Sequence, residues 1–193
     1  SGTATFGSTT LTSAGDKDIF IAKLDSNGNY LWAKKAGGSS SDRGHAITSL
    51  SDNGSIVTGQ FQGTATFGST TLTSAGHQDI FIAKLDSNGN YLWAKKAGGV
   101  ILDRGHAITA LSDNSSIVTG EFCGTATFGS TTLTSAGSTD VFVAKLDSNG
   151  DYLWVQRGGG TDQDTAKAIT SLSDNSSIVT GFFYGSATFG STT

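Results

Sequence analysis

The residues that could do chemistry recur along the chain at a constant interval. His45 and His106 stand 61 positions apart, and Lys167 occupies the third equivalent position. Imidazoles gathered at one place can hold a transition metal, because the neutral ring nitrogen is a common metal ligand. A lysine at the third position breaks such a set. The pattern therefore predicts histidines at a surface or a channel mouth, and no metal site.

Paired charges form a second recurring pattern, just before the histidines. The pairs are Asp42-Arg43 and Asp103-Arg104, and the third copy reads Asp164-Thr165. One interpretation is an ion pair across a loop, which contributes little when it is exposed. The other interpretation is a contact to a polar ligand, and both stay open at this point.

Two further sets of carboxylates repeat with the same spacing. One set precedes an apolar run, at Asp18, Asp79 and Asp140. We expect these carboxylates to accept hydrogen bonds from loop amides, as Asp often does in turns. The other set begins an Asp-Ser-Asn-Gly loop, at Asp25, Asp86 and Asp147. Calcium loops need several oxygen ligands at alternating positions, so a hairpin turn is the favoured interpretation of these loops.

Catalytic constellations find no support in the sequence. No Ser-His-Asp set, paired-carboxylate cleft or Cys-His pair recurs at a spacing that would build a reaction centre. Cys123 replaces Gln62 and Tyr184 at equivalent positions, so the repeat does not depend on a thiol. Glycine-rich segments flank strand-like runs instead of opening helices, which is the wrong context for a phosphate loop. The sequence predicts no enzyme activity and no cofactor.

Composition excludes several classes of protein. The chain has 193 residues, a net charge of −4, 36% apolar residues, one Cys, no Pro and no Met. No stretch approaches the ~20 apolar residues of a membrane span, and no basic footprint for nucleic acid is present. One Cys forms no internal disulfide. The lack of an initiating Met and of a signal-peptide core suggests a mature, trimmed or excised chain.

A repeat of 61 residues organises the whole chain. The string GTATFGSTTLTSAG begins at Gly2, Gly63 and Gly124, and a shortened copy begins at Gly185. We therefore predict one repeat domain, 1–193. It is divided into repeats 2–62, 63–123 and 124–184 and a partial fourth repeat, 185–193.

Each repeat contains four main strand-like runs and one small hairpin. The runs are rich in β-branched and aromatic residues and are joined by Asn-Gly or Asp-Asn turns, which are strong hairpin signals. For the first complete set the predicted strands A to D are 45–50, 55–61, 79–86 and 90–97, with the hairpin at 64–67 and 70–73. The second set is 106–111, 116–122, 140–147 and 151–157.

Four-stranded antiparallel units at a fixed period predict an all-β fold made of β-propeller blades. Stacking the sheets around an axis would bury their faces against each other. Trp32, Trp93 and Trp154 recur in the outer strand, where packing between blades is the favoured role. A three-fold β-trefoil or β-prism is the alternative fold, although the repeats of those folds are usually shorter.

Four motifs make the chain resemble the bacterial β-propeller repeat called SBBP. They are the IVTG strand, the GTATFG segment, the DxF(I/V)AKLD strand and the LW strand before a glycine pair. The resemblance covers the whole chain. It implies a propeller fold, a bacterial protein that is secreted or displayed at the cell surface, and no fixed enzymatic activity. Propellers usually have four to eight blades, whereas this chain has three repeats.

The chain ends carry complementary halves of one blade. A C–D pair is predicted at 18–25 and 29–36, and an A–B pair at 167–172 and 177–184. Unpaired strand edges promote association. We expect the halves to pair between two chains, giving a homodimer that completes a six-bladed ring. The alternative is that the chain is an excised piece of a longer propeller.

The repeats differ mainly in the connections on one predicted face. Residues 39–41 read SSS, 100–102 read VIL and 161–163 read TDQ. One diversified face on a uniform scaffold is typical of a recognition module. We take as candidate ligand-binding residues Asp42, Arg43, His45, Val100, Ile101, Leu102, Asp103, Arg104, His106, Asp164 and Lys167.

The predicted function is a non-enzymatic extracellular or cell-surface scaffold for binding or adhesion. Its ligand would be a glycan or a protein, with no nucleic acid and no membrane insertion. Two alternatives remain open. One is a purely structural or assembly module, and the other is a carbohydrate-binding, lectin-like domain.

Overall fold

A computed structural model describes residues 2–191 of the chain, which contain seventeen β-strands and no helix. The first residue and the last two positions of the predicted partial repeat 185–193 lie outside the described residues. The predicted all-β class is confirmed within this range. No helix there is long and apolar enough to cross a membrane.

The N-terminal repeat forms two separate hairpins. Its strands are β1 (Thr3–Phe6), β2 (Thr9–Thr12), β3 (Ile19–Leu24) and β4 (Tyr30–Gly38). β1 pairs with β2, and β3 pairs with β4, both antiparallel. We call β3–β4 the N-terminal half-unit, because it corresponds to the predicted C–D pair.

The first complete four-stranded unit follows, and we call it unit 1. The next strands are β5 (Arg43–Ser49), β6 (Ser55–Phe61), β7 (Thr64–Phe67), β8 (Thr70–Thr73), β9 (Asp79–Leu85) and β10 (Tyr91–Gly99). Unit 1 has the antiparallel order β5-β6-β9-β10. The β7–β8 hairpin leaves the unit and pairs with β4 of the preceding repeat, where Gly37 faces Thr66.

Unit 2 repeats this order with longer strands. Its strands are β11 (Arg104–Ala110), β12 (Ser116–Phe128), β13 (Thr131–Leu146) and β14 (Tyr152–Gly160). The small hairpin is continuous with β12 and β13, and it pairs with β10 of unit 1 through Ala97 and Phe128. The second and third repeats thus bond their hairpins to the last strand of the repeat before them, which links the units through their backbones.

The C-terminal part carries β15 (Asp164–Ser171), β16 (Ser177–Phe183) and β17 (Ala187–Phe189). β15 and β16 form a two-stranded sheet, which we call the C-terminal half-unit. β17 pairs with Gly158–Gly160 of β14, as the hairpins of the other repeats do with their preceding strands. The predicted strand positions agree with the observed ones to within three residues, with two exceptions. β12 ends at Phe128 instead of 122 and β13 begins at Thr131 instead of 140, because the small hairpin continues both strands.

The turns explain why identical strands begin and end at identical places. The Asp25 carboxylate accepts hydrogen bonds from the amides of Asn27 and Asn29, and Gly28 follows with a φ of +84°. Only glycine adopts such a backbone conformation at low cost. These bonds use the Asp25 carboxylate within the turn, so the hairpin interpretation of these loops is confirmed.

Apolar side chains fill the layers between neighbouring sheets. Phe81 in unit 1 and Phe142 in unit 2 have no exposed surface. Phe67 and Phe128, from the small hairpins, pack against these rings with centroid distances of 4.9 and 5.0 Å. The hairpin of each repeat therefore completes a hydrophobic cluster in addition to bonding to the preceding repeat.

Candidate ligand-binding surface

The first strands of successive repeats, β5, β11 and β15, lie side by side. Their opening residues consequently form a row across the molecule. The rings of His45 and His106 stack with a centroid distance of 5.4 Å, and His45 Nδ1 lies 2.9 Å from the carbonyl oxygen of Gly105. The repeat thus brings the two histidines, 61 residues apart in sequence, into direct contact.

The environment of His45 favours the neutral imidazole. Partial burial lowers the pKa of His45, and the positive charges of Arg104 and Arg43 act in the same direction. In residues 2–191, no group of three or more His, Cys, Asp or Glu side chains is placed to hold a metal ion.

Glu121 lies buried at the centre of the row and gathers three partners. Arg104 Nη1 is 3.2 Å and His106 Nε2 is 3.4 Å from Oε1, while the Thr165 hydroxyl donates to Oε2 at 2.7 Å. Burial alone raises the pKa of Glu121. The close approach of His106, the hydrogen bond from Thr165 and the positive charge of Arg104 outweigh this effect and lower the pKa to about 2. The side chain is therefore a carboxylate at neutral pH.

The position of Glu121 changes its chemistry from repeat to repeat. In unit 1 it is Gln60, whose amide donates to Gln78 Oε1 at 2.8 Å. In the C-terminal half-unit it is Phe182, whose ring lies 5.5 Å from the ammonium of Lys167. The sequence shows this variation. It does not show that Glu121 contacts both Arg104 on β11 and Thr165 on β15, because that depends on how strands far apart in the sequence pack together.

Three predicted ligand contacts are corrected by the structure. Asp42, Asp103 and Asp164 are almost completely buried. Asp103 accepts the amides of Gly99 at 2.7 Å and Cys123 at 3.2 Å, and the other two make the equivalent bonds. These carboxylates fix the connection between units and are closed to an outside ligand. Among the described residues, Arg104 is paired with Glu121 instead of its neighbour Asp103.

The carboxylates at Asp18, Asp79 and Asp140 behave as predicted. Each accepts the amide of an alanine four residues earlier, at 2.9 to 3.0 Å. Asp79 and Asp103 enclose Gly98, where an added Cβ would lie 2.7 Å from Asp79 Cγ and 2.9 Å from Asp103 Oδ2. Burial, with a smaller contribution from the charge of Asp79, raises the pKa of Asp103 to about 6.

The variable connections meet on one side of each unit, as the sequence predicts. The Gln78 amide donates to the carbonyl of Ile101 at 3.2 Å, which joins the connection before β9 to the one before β11. Val100 and Ile101 are exposed, at 74% and 45%, and Leu102 is half-buried. The accessible part of the predicted surface is therefore Arg43, His45, Val100, Ile101 and Lys167, with Leu102, Arg104 and His106 partly covered.

The chain belongs to the class of all-β proteins built from a repeated four-stranded antiparallel unit. No protein-family model matches it. It is similar to the uncharacterized WD repeat-containing protein L264 of Acanthamoeba polyphaga mimivirus. That alignment is 26% identical over 193 residues and covers 84% of the chain. It is also similar to the regulatory protein FlaEY of Caulobacter vibrioides, 31% identical over 98 residues that cover 49% of the chain. The matched regions span 14% and 10% of these relatives.

Proposed function

We propose that the chain is a non-enzymatic binding scaffold made of β-propeller blades, secreted or held at a cell surface. Its ligand surface is the row of residues that begin β5, β11 and β15, together with the connection at 100–102. The observed four-stranded units and the similarity to a WD repeat-containing protein support the propeller. The resemblance to the SBBP repeat supports the location.

One observation carries the binding role: near-identical units differ along this row. One varied position lies near the start of β5, β11 and β15 and is occupied by Arg43, Arg104 and Thr165. The residues that face it on β6, β12 and β16 are Gln60, Glu121 and Phe182. The scaffold around these positions is constant. Arg43 and Phe182 are exposed and Arg104 is half-buried, whereas Gln60, Glu121 and Thr165 lie buried beneath them. The surface therefore offers cationic and apolar contacts, which suits a glycan or a protein surface as ligand.

The protonation states of the row support a binding role over catalysis. A general acid or base needs a pKa near the working pH. The pKa of Glu121 is about 2, and its oxygens already accept bonds from Arg104 and Thr165. This carboxylate is thus poorly suited to transfer protons near pH 7.

A purely structural or assembly role is the second candidate function. The observation that favours it is the pair of sheet edges that no strand in residues 2–191 covers, at β3 and β16. An assembly module would use these edges and leave the variable row without a ligand. Binding experiments separate the two functions, because only the scaffold for recognition has a saturable partner.

Changing Val100-Ile101-Leu102 to Ser-Ser-Ser is expected to abolish or strongly weaken ligand binding. Serine already occupies the equivalent residues 39–41, where Ser40 Oγ lies against Gly63 as Ile101 lies against Gly124. The free energy of unfolding should change by no more than about 0.5 kcal/mol, as for most surface substitutions. Glycan and protein arrays probed with both chains provide the measurement.

The reciprocal change of 39–41 from Ser-Ser-Ser to Val-Ile-Leu is the matched control. It should leave the wild-type ligand profile in place, because the original apolar residues at 100–102 are kept. A triple serine variant that binds as the wild type does would remove this connection from the ligand surface. Loss of several kcal/mol of stability would show that Val100-Ile101-Leu102 is part of the core.

A further inference from the structure

Two sheet edges in this chain lack the neighbour that the same edges have elsewhere. In units 1 and 2, the second strand pairs with the third, as β6 with β9 and β12 with β13. Within residues 2–191, β3 pairs with β4 only and β16 pairs with β15 only. The N-terminal half-unit thus offers a third strand and the C-terminal half-unit offers a second strand.

The side chains beside these edges are exposed where their repeat partners are buried. Phe20 is 60% exposed, whereas Phe81 and Phe142 are at 0%. Ile178 is 57% exposed, against 0% for Ile56 and 1% for Ile117. A groove of about 570 Å³ runs beside β3 and is lined by residues 17–22, 42–47 and Val57. Both edges therefore present apolar surface that a strand would cover.

A contact between neighbouring units shows the same incomplete pattern. The Trp32 indole donates to the carbonyl of Ser87 at 3.3 Å, and its ring lies 2.9 Å from the Cβ position of Gly89. Trp93 repeats this contact with the carbonyl of Ser148, at 3.2 Å. The third tryptophan, Trp154, is 38% exposed.

The acceptor side of that contact is open at the other end of the chain. Gly28 is the repeat equivalent of Gly89 and Gly150, and within the described residues its Cβ position has no atom within 4 Å. Gly89 and Gly150 each lie against a tryptophan ring at 2.9 Å. In the part of the chain that the structure describes, Trp154 thus lacks the glycine turn on which the other two tryptophans pack, and Gly28 lies in a turn that lacks its tryptophan.

A hydrogen bond between the turns of neighbouring repeats follows the same pattern. The Ser51 hydroxyl donates to Asn114 Oδ1 at 2.8 Å, and Ser112 donates to Asn175 Oδ1 at 3.0 Å. The third serine of this set is Ser173, and the position 63 residues after it corresponds to Asn53 of another copy. Asn53 has the same φ of +61° as Asn114, so its turn has the conformation that the bond requires.

We propose that the open edges are filled by a second copy of this chain, β16 of each copy pairing with β3 of the other. The register follows from units 1 and 2, where Ser55 faces Leu85 and Phe61 faces Asp79. It places Ser177 opposite Leu24 of the second copy. Trp154 then packs on the second copy's Gly28. The groove that the second copy covers is also lined by Arg43 and His45 of the proposed ligand surface, so the pairing of the copies is tested by itself and not through ligand binding.

The number of copies follows from closure of the ring. Each copy supplies one edge of each kind, so two copies form two identical seams around a two-fold axis and leave neither the β3 edge nor the β16 edge open. Two copies contain six four-stranded units, within the usual range of four to eight for a closed propeller. One copy would close only three units, and three copies would require nine.

The seam also has one hairpin site for two candidate hairpins. Phe6 of β1 stacks on Phe20 with a centroid distance of 4.9 Å, as Phe67 does on Phe81. β17 already pairs with β14, as β7 does with β4. In the ring, β17 of one copy and β1 of the other would occupy the same hairpin site. Removal of residues 2–13 is therefore expected to preserve or tighten the pairing of the two copies.

Disulfide trapping tests the pairing and its register. In a Cys123→Ser background, one chain carries Ser177→Cys and the other carries Leu24→Cys. Facing residues of antiparallel strands have Cα atoms about 4.5–5.5 Å apart, within the range of a disulfide. The mixed chains are expected to form a covalent product of two chains under mild oxidation. Neither variant oxidised alone should form it.

The matched control combines Ser177→Cys with Ala22→Cys, which is two residues out of the proposed register. Two residues of strand displace the cysteine by about 7 Å, so this pair should remain reduced. Folding of every variant is checked by its thermal unfolding. Folded chains that fail to link at Leu24→Cys, or that link equally well at Ala22→Cys, would overturn the proposal. Array binding by the ligand surface is measured in a separate experiment, so that failure of the pairing and failure of the ligand surface can be told apart.

Discussion

Replacing Phe142 by alanine is expected to lower the free energy of unfolding by about 3–5 kcal/mol. The Phe142 side chain has no exposed surface and packs against Phe128 with a centroid distance of 5.0 Å. Removal of the ring leaves a cavity between units 1 and 2. Backbone hydrogen bonds between β10 and β12 hold the two units in place, so they cannot move together to fill the cavity. Urea unfolding followed by circular dichroism measures the difference.

Phe20→Ala provides a control at the same position of the repeat. Phe20 is 60% exposed in the single chain, so at high dilution the loss should be below about 1 kcal/mol, close to that of a surface substitution. At high concentration the loss should grow, because the second copy covers this ring. Equal losses for Phe142→Ala and Phe20→Ala at every concentration would contradict the assignment of β3 as an open edge.

Glu121→Gln is expected to cost about 2–3 kcal/mol of stability near pH 7. The change introduces the residue found at Gln60, but it leaves the guanidinium of Arg104 without its counter-charge. The folded-state pKa of Glu121 is lowered to about 2 from its ordinary value of 4.5. Its contribution is therefore complete above about pH 4.5 and is lost as the pH falls towards 2.

The difference between wild type and Glu121→Gln isolates this contribution from other groups. Unfolding free energies of both chains are measured at several pH values between 7 and 2. We expect the difference to shrink across the acid range and to disappear near pH 2. A difference that stays constant with pH would show that Glu121 acts through shape and packing, and that its charge contributes nothing.

The strands were predictable because local signals and the repeat agree. The Asn27-Gly28 turn fixes where β3 ends and β4 begins, the Asp52-Asn53 turn does the same for β5 and β6, and the predicted bounds of β6, 55–61, are the observed ones. The partner of the small hairpin was not predictable in this way. β7 pairs with the Gly37-Gly38 stretch of the preceding repeat, and no local signal shows which strand will accept a hairpin edge.

The candidate site was predictable in position but only partly in role. The row of variable residues and the structural use of Asp79 followed from spacing and turn chemistry. Asp103 looked like a possible ligand contact because an Asp-Arg pair in a loop suggests exposed charge. Its burial depends on the amide of Cys123, twenty residues away on another strand. The importance of Glu121 likewise arises from Thr165 in the next repeat.

The native mass of the chain tests the completion of a six-unit ring by two copies most directly. Sedimentation equilibrium at low micromolar concentration is expected to give twice the chain mass of 19.7 kDa. Trp154→Ala removes the ring that we place on the second copy's Gly28, and it should shift the equilibrium towards the single chain. A compact species of 19.7 kDa for the wild type at these concentrations, or a ladder of growing open assemblies, would contradict the account.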